Sequence, residues 1–242
     1  MKIAVITDVH ANLPALKAVL RAINADECDS IFHVGDAIAI GPYPAECVDL
    51  MQSTPNLKCV AGNHELYFVN GLPNPQPNWM SDGEVQHQLW THKQLGDQRK
   101  SIISQWPFIH ENVFEGVKTV FVHYGFALSR KDFIGVIRNP NETDMDKMFA
   151  EHTAETIFFG HDHSPSDIKG KARYINPGSL GCCPQALARY TIAKFVDDHV
   201  DIQHCSVLYD DKELYEAFED RNVPEREFIY KVFFGGRFGA YR

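Results

Sequence analysis

The chain has 242 residues, 44% of them hydrophobic and 23% charged, which suits one large domain with a sizeable core and excludes a disordered polymer. A formal net charge of −9 argues against a sequence-independent nucleic-acid binder, which needs clustered Lys and Arg; a small anionic substrate stays open if the site carries its own cations. The opening residues turn acidic at Asp8, too soon for a signal peptide, no run reaches transmembrane length, and the six cysteines contain no Cys-x-x-Cys pair, so reduced thiols, cytoplasmic location and no membrane contact are expected.

Along the chain, apolar residues Ile3, Val5 and Ile6 predict a first strand over 2–7, ending in Asp8-Val9-His10. Asn12, Leu13 and Pro14 open a helix with Leu13, Leu16, Leu20 and Ile23 at helical spacing. A second strand over 30–34 ends in Gly35-Asp36, and a third over 57–61 ends in Gly62-Asn63-His64-Glu65. Strands alternating with helical stretches predict βαβ units and a parallel sheet.

The segment from about 70 to 106 is predicted as a helical, cap-like insertion within a single domain spanning 1–242. Its Pro-rich start over 72–77 leads to a capping pair, Ser81 and Glu84, then a helix to about Leu95 and a second from Asp97 through Ile103. It reads equally well as a cover over a site and as packing; His87 and His92 read as surface residues. Strands over 109–114 and 117–122, joined at Glu115-Gly116, form a hairpin whose second strand ends in His123. Arg130, Lys131 and Arg138 make the irregular stretch 126–139 locally basic, most simply as a solvated loop. Residues 144–152 look helical, and a strand over 156–159 ends in Gly160-His161-Asp162-His163. Strands over 172–176, 189–196 and 200–209 are expected to make an antiparallel second sheet. The tail holds one polar helix, a break at Asn222-Val223-Pro224, and Phe228, Tyr230, Phe233, Phe234, Phe238 and Tyr241, which are expected to dock on the core. The adjacent Cys182 and Cys183 read as packing residues.

Every candidate ligand sits at the carboxyl end of a predicted strand, where open α/β sheets place their ligand crevice. Asp8, His10, Asp36, Asn63, His123, His161 and His163 offer oxygen and imidazole nitrogen without a thiolate, a set that suits Mn²⁺, Fe or Zn²⁺. Seven ligands exceed what one ion takes with open positions. Two ions bridged by one carboxylate, roughly 3.5–4 Å apart, fit better and clamp both oxygens of a displacement at phosphorus.

These blocks, in this order, resemble the calcineurin-like metallophosphoesterase superfamily. Gly35-Asp36 running on to Gly41-Pro42-Tyr43-Pro44, with Asn176-Pro177-Gly178-Ser179, resembles its bacterial and archaeal branch of phosphodiesterase-like and diadenosine tetraphosphatase-like proteins. The resemblance implies an α/β fold, a four-layer α-β-β-α sandwich with two mixed β-sheets. It implies two divalent ions (Mn²⁺, Fe²⁺/Fe³⁺ or Zn²⁺), one held by Asp8, His10 and His163, the other by Asn63, His123 and His161, with Asp36 bridging. His64 is implied as the catalytic residue over the phosphate, and hydroxide held between the ions as the in-line nucleophile. The implied function is hydrolysis of phosphate mono- or diesters such as nucleotides or dinucleoside polyphosphates. A non-catalytic metal-binding scaffold and a nuclease are the alternatives; the first should have lost ligands and the second wants a basic groove. Two departures stand out: Tyr124 follows His123 where the branch has glycine, and Gly181-Cys182-Cys183-Pro184-Gln185 replaces a Gly-x-Pro-Arg stretch, so a basic substrate contact is missing there.

Overall fold

Strand β1 (Lys2–Ile6) buries both its faces, Ile3 and Val5 on one side and Ala4 and Ile6 on the other, as a strand with layers above and below requires. The computed structural model describes residues 1–127 and 132–241; Arg130 and Lys131 of the basic stretch lie outside the described residues. Helix α1 (Leu13–Ala25) follows β1. The Asn12 side chain caps it by accepting from the Ala15 N–H at 3.1 Å, and Pro14 sits in its first turn, where its missing N–H leaves no bond broken. Strand β2 (Ser30–Val34), helix α2 (Pro44–Ser53) and strand β3 (Leu57–Val60) complete two βαβ units, with β1, β2 and β3 parallel.

Two mixed five-stranded sheets result. The second contains β4 (Ile109–Phe114), β5 (Val117–Val122), β6 (Thr156–Phe158), β7 (Ser166–Lys169) and β8 (Arg173–Asn176), in the order β4-β5-β6-β8-β7. The expected antiparallel trio is divided between the sheets. Strand β8 lies parallel to β6 in the second, whereas β9 (Leu187–Val196) and β10 (His199–Leu208) extend the first, in the order β10-β9-β1-β2-β3. The reason is β9's alternation. Ala193 and Phe195 join the core between the sheets while Ala188, Tyr190 and Ile192 face the helices, and beside β1 the strand meets both.

Phe32 of β2 stacks on Phe121 of β5, and Phe121 on Phe158 of β6, at ring separations of 3.9 and 5.3 Å. This aromatic column joins the two sheets through their shared core. Outside the first sheet pack α1, α2, α6 (Lys212–Asp220) and α7 (Arg226–Phe233); outside the second packs α5 (Glu142–Met148) through Met145. The order is helix, sheet, sheet, helix. Between β3 and β4 lie α3 (Asn63–Asn70) and α4 (Asp82–Ile103). Helix α4 is broken at Gly96, whose φ of 65° is left-handed, so it consists of two helical stretches. In the tail, Phe234 and Phe238 are fully buried and Tyr230 nearly so, but Phe228 stays 56% exposed. No helix among the described residues is long and apolar enough to cross a membrane.

His33 of β2 is fully buried on the helix side, near the edge of Trp106, and neither ring nitrogen has a partner among the described residues. Burial lowers its pKa to about 3. Below the ordinary value of about 6.5 the unfolded chain takes up a proton that the folded chain refuses, so this group erodes stability as pH falls from 6.5 towards 3. Between pH 7 and pH 5 the expected loss is about 2 kcal/mol. Urea unfolding of His33→Leu should show that much less acid sensitivity than the parent chain; equal losses in both would refute it.

Candidate metal centre

The carboxyl ends of β1, β2, β3, β5 and β6 open on the same crevice, and the loops leaving them carry the ligand candidates. Their backbone is unusual. Asp8 (φ 51°), His10 (46°), Asp36 (59°), His161 (74°) and His163 (62°) all adopt left-handed conformations, each at an expense of about 1–3 kcal/mol for a non-glycine residue. Such strain persists only where surrounding contacts over-determine it. For the Asp36 loop that contact is Glu65. Its carboxylate is fully buried and accepts from four backbone N–H groups: Gly62 (2.7 Å), Asp36 (2.9 Å), Ala37 (2.9 Å) and Ile38 (3.3 Å). It thereby clasps the loop after β2 to the start of α3. Burial and the nearby Asp36 raise its pKa to about 7, against the pull of those donors. Gly35 (φ 103°) permits the same turn, because a β-carbon there would strike the His123 ring.

All seven predicted ligands converge. His10 Nε2 and His163 Nε2 stand 2.9 Å apart, each 3.6 Å from Asp8 Oδ1. His123 Nε2 lies 3.2 Å from each of Asn63 Oδ1, His161 Nδ1 and Asp36 Oδ2. The Nδ1–H of His10 donates to the Ile38 carbonyl (3.3 Å) and that of His123 to the Val34 carbonyl (2.9 Å), so both turn Nε2 inward. Fixing the tautomer through the outer nitrogen is how metal-ligating histidines are oriented. Several imidazole lone pairs facing one another across buried carboxylates make a donor set that fits a cation. The electrostatics agree. Burial pushes His123 down, but Asp36 and Asp8 more than offset this and raise it to about 9; the carboxylates draw positive charge inward. Burial, with His123 beside it, lowers His161 to about 3, and burial lowers His163 to about 4. Both therefore present neutral, ligating rings.

His64 stands at the edge of this set, its Nε2 3.9 Å from Asp36 Oδ2. Distance alone does not separate it from the ligands, since His10, Asp36 and His64 together could hold an ion. What distinguishes it is Gln88 of α4, whose amide donates to His64 Nδ1 at 2.7 Å. His87, expected on the surface, is 5% exposed: its Nε2 accepts from the Ile40 N–H (2.8 Å) and its Nδ1 donates to the Pro224 carbonyl (3.1 Å). The insertion thus anchors both His64 and the loop after Asp36. Neither role shows in the sequence, because both depend on which face of α4 meets the site. Cys182 packs in the core as expected, and its sulfur also lies within 4.8 Å of ligand atoms of His10 and His163. Cys182 and Cys183 are both buried. Tyr124 packs, its ring 4.7 Å from that of His161, and its hydroxyl accepts from the Ile137 N–H at 3.0 Å.

A cleft of about 540 Å³ opens over the centre, with Arg138 on its wall. Arg189 of β9, beyond the Gly-x-Pro-Arg position, borders His163 and Cys182 in a smaller cavity.

Residues 1–198 match the model of the calcineurin-like phosphoesterase superfamily domain, and the chain belongs to that superfamily. Among its relatives, an uncharacterized protein of Methanocaldococcus jannaschii is 28% identical over 246 residues, 92% of this chain and 94% of that one. The crystal structure of a metallophosphoesterase from Sphaerobacter thermophilus is 25% identical with a TM-score of 0.73, covering 97% of this chain and all of that one. A hypothetical protein from Pyrococcus horikoshii, 17% identical with a TM-score of 0.81 over 96% of this chain and 97% of that one, shares the fold.

Replacing Glu65 by Gln turns an NH₂ group towards backbone donors and leaves at least two of them unpaired, because each carboxylate oxygen serves two. The expected loss is about 1–3 kcal/mol for each orphaned donor, and more if the loop opens. Urea unfolding in the presence of chelator measures it without any contribution from bound metal; an unchanged midpoint would rule out the clasp.

Proposed function

We propose that this protein is a metal-dependent phosphoesterase hydrolysing small phosphate mono- or diesters, nucleotides and dinucleoside polyphosphates among them. The observation that carries the proposal is Asp36: it belongs to a donor cluster with His10 and to another with His123 and His161, as a bridging carboxylate would. In this reading Asp8, His10 and His163 hold one divalent ion, Asn63, His123 and His161 hold the other, and Asp36 joins them; Mn²⁺, Fe and Zn²⁺ all suit such donors. When bound, the ions lower the pKa of a water and neutralise charge on the phosphoryl oxygens.

The chain's own residues do the rest. Burial, the largest influence on His64, lowers its pKa below the ordinary value. The ring is then neutral near pH 7. With Nδ1 accepting from Gln88, its proton resides on Nε2 and faces the cleft. From there its N–H hydrogen-bonds the ester or a phosphoryl oxygen and steadies the charge that builds there; as the water's oxygen bonds to phosphorus and the P–O bond breaks, the leaving oxygen takes up the proton that the water sheds. Arg138, on the cleft wall, offers a charge-assisted contact to a phosphoryl oxygen or a second anionic group. The fold alone supports a scaffold equally well, but the full set of donors around Asp36 favours an active site.

Exhaustive chelation should abolish hydrolysis of a panel of mono- and diesters, and Mn²⁺ or Zn²⁺ should restore it. His64→Ala should retain metal but lose about 10²- to 10⁴-fold in kcat. Asp36→Asn should lose metal and turnover together. Metal content per chain and steady-state rates decide this; chelator-resistant hydrolysis would remove the proposal, and equal metal loss in both variants would make His64 a ligand.

A further inference from the structure

Two segments remain outside the metal centre's account, the insertion and the aromatic tail, and they meet. Glu225 packs against Gly83 at the start of α4, and His87 bonds to the Pro224 carbonyl. Between them lies a second cavity of about 420 Å³, within the size range of small-molecule sites. It adjoins the metal cleft: Ile40, His64 and Phe233 line both. The family match covers residues 1–198, so the tail's share of this cavity lies beyond the matched domain.

The walls have a definite chemistry. Trp79, Phe228 and Phe233 supply aromatic surface, and Glu84 and Glu225 supply carboxylates; no Lys or Arg lines the cavity among the described residues. Trp79 is 59% and Phe228 56% exposed, large apolar rings kept open at the mouth rather than folded into the core. Two carboxylates repel a further phosphate group. Aromatic rings stack on a flat π-system, and carboxylates accept from its N–H groups. Position adds direction: His64 stands where the two cavities join, so a group leaving past His64 enters the second.

We propose that this cavity is the leaving-group subsite, and that it takes a planar nitrogen heterocycle bearing N–H donors, as in a nucleoside, rather than a polyphosphate chain. The scissile phosphate stays beside Asp36 and Arg138, while the alcohol product lies between Trp79 and Phe228 with its donors towards Glu84. This narrows the phosphoesterase reading and rests on it.

The test uses the metal-loaded full chain and two alcohols, adenosine and glycerol, each as its phosphate monoester and as its methyl phosphodiester. The parent protein should prefer the adenosine ester at least about tenfold in kcat/KM, the scale of one base stacked on an aromatic ring. Trp79→Ala and Phe228→Ala should each reduce that preference ratio severalfold or more; general damage would lower both rates and leave the ratio intact. In parallel, adenosine alone is titrated by calorimetry, and its affinity should fall in the same two variants. No preference in the parent, or a ratio and an adenosine affinity that ignore both substitutions, overturns the subsite. If none of the esters is hydrolysed, the phosphoesterase reading fails, and the titration alone judges the cavity: binding weakened by the substitutions upholds it, and absence of binding ends it.

Discussion

A single buried carboxylate holds the site together. A carboxylate offers about four acceptor positions, and Glu65 fills four with backbone N–H groups drawn from two loops. Charge-assisted bonds of this kind are stronger than neutral ones. They are needed here, because the loops they join carry Asp36, Ala39 and Ile40 in left-handed conformations, and Ile40 is β-branched, the kind of residue for which that region is a genuine outlier. With the Asp36 loop and the start of α3 clasped together, Asp36 and Asn63 share one position in space, and the histidines arriving from the second sheet have a fixed target. The two mixed sheets serve the same end, bringing the carboxyl ends of their strands to one crevice.

Around that frame, the parts outside the motifs turn out to be connected to it. Helix α4 reaches the centre through adjacent residues, Gln88 to His64 and His87 to Ile40, and reaches the tail through Pro224. The insertion and the tail are therefore packing elements and cleft walls at once; one helix face serves both purposes. The electrostatic layout follows the same division. Cation-seeking carboxylates and imidazoles occupy the floor, Arg138 stands on one wall, and the second cavity is aromatic and acidic.

Local signals in the sequence translated well wherever one segment decides its own conformation. The apolar runs of β1, β2 and β5, the Asn12 and Ser81 caps, the hairpin at Glu115-Gly116 and the break near Gly96 all rest on short-range chemistry. The errors arose where a partner had to be chosen. Residues 189–196 and 200–209 read correctly as strands, but period-two alternation does not say which sheet they join, and β1 claimed them. Strand β7 was missed because its burial alternates only weakly along Ser166–Lys169. His87 looked like an isolated surface histidine because its two partners, Ile40 and Pro224, lie 47 and 137 residues away.

What the sequence determined by itself was the donor chemistry: which oxygens and imidazole nitrogens end each strand, and with them the family. Donor chemistry is a property of single residues and short spacings, and it survives without coordinates. What tertiary structure alone decided was company. It placed Gln88 behind His64, Cys182 beside His10 and His163, and Trp79 and Phe228 on the lining of one cavity. Such neighbours are set by packing between distant segments, where burial and shape, rather than any local pattern, choose the contact.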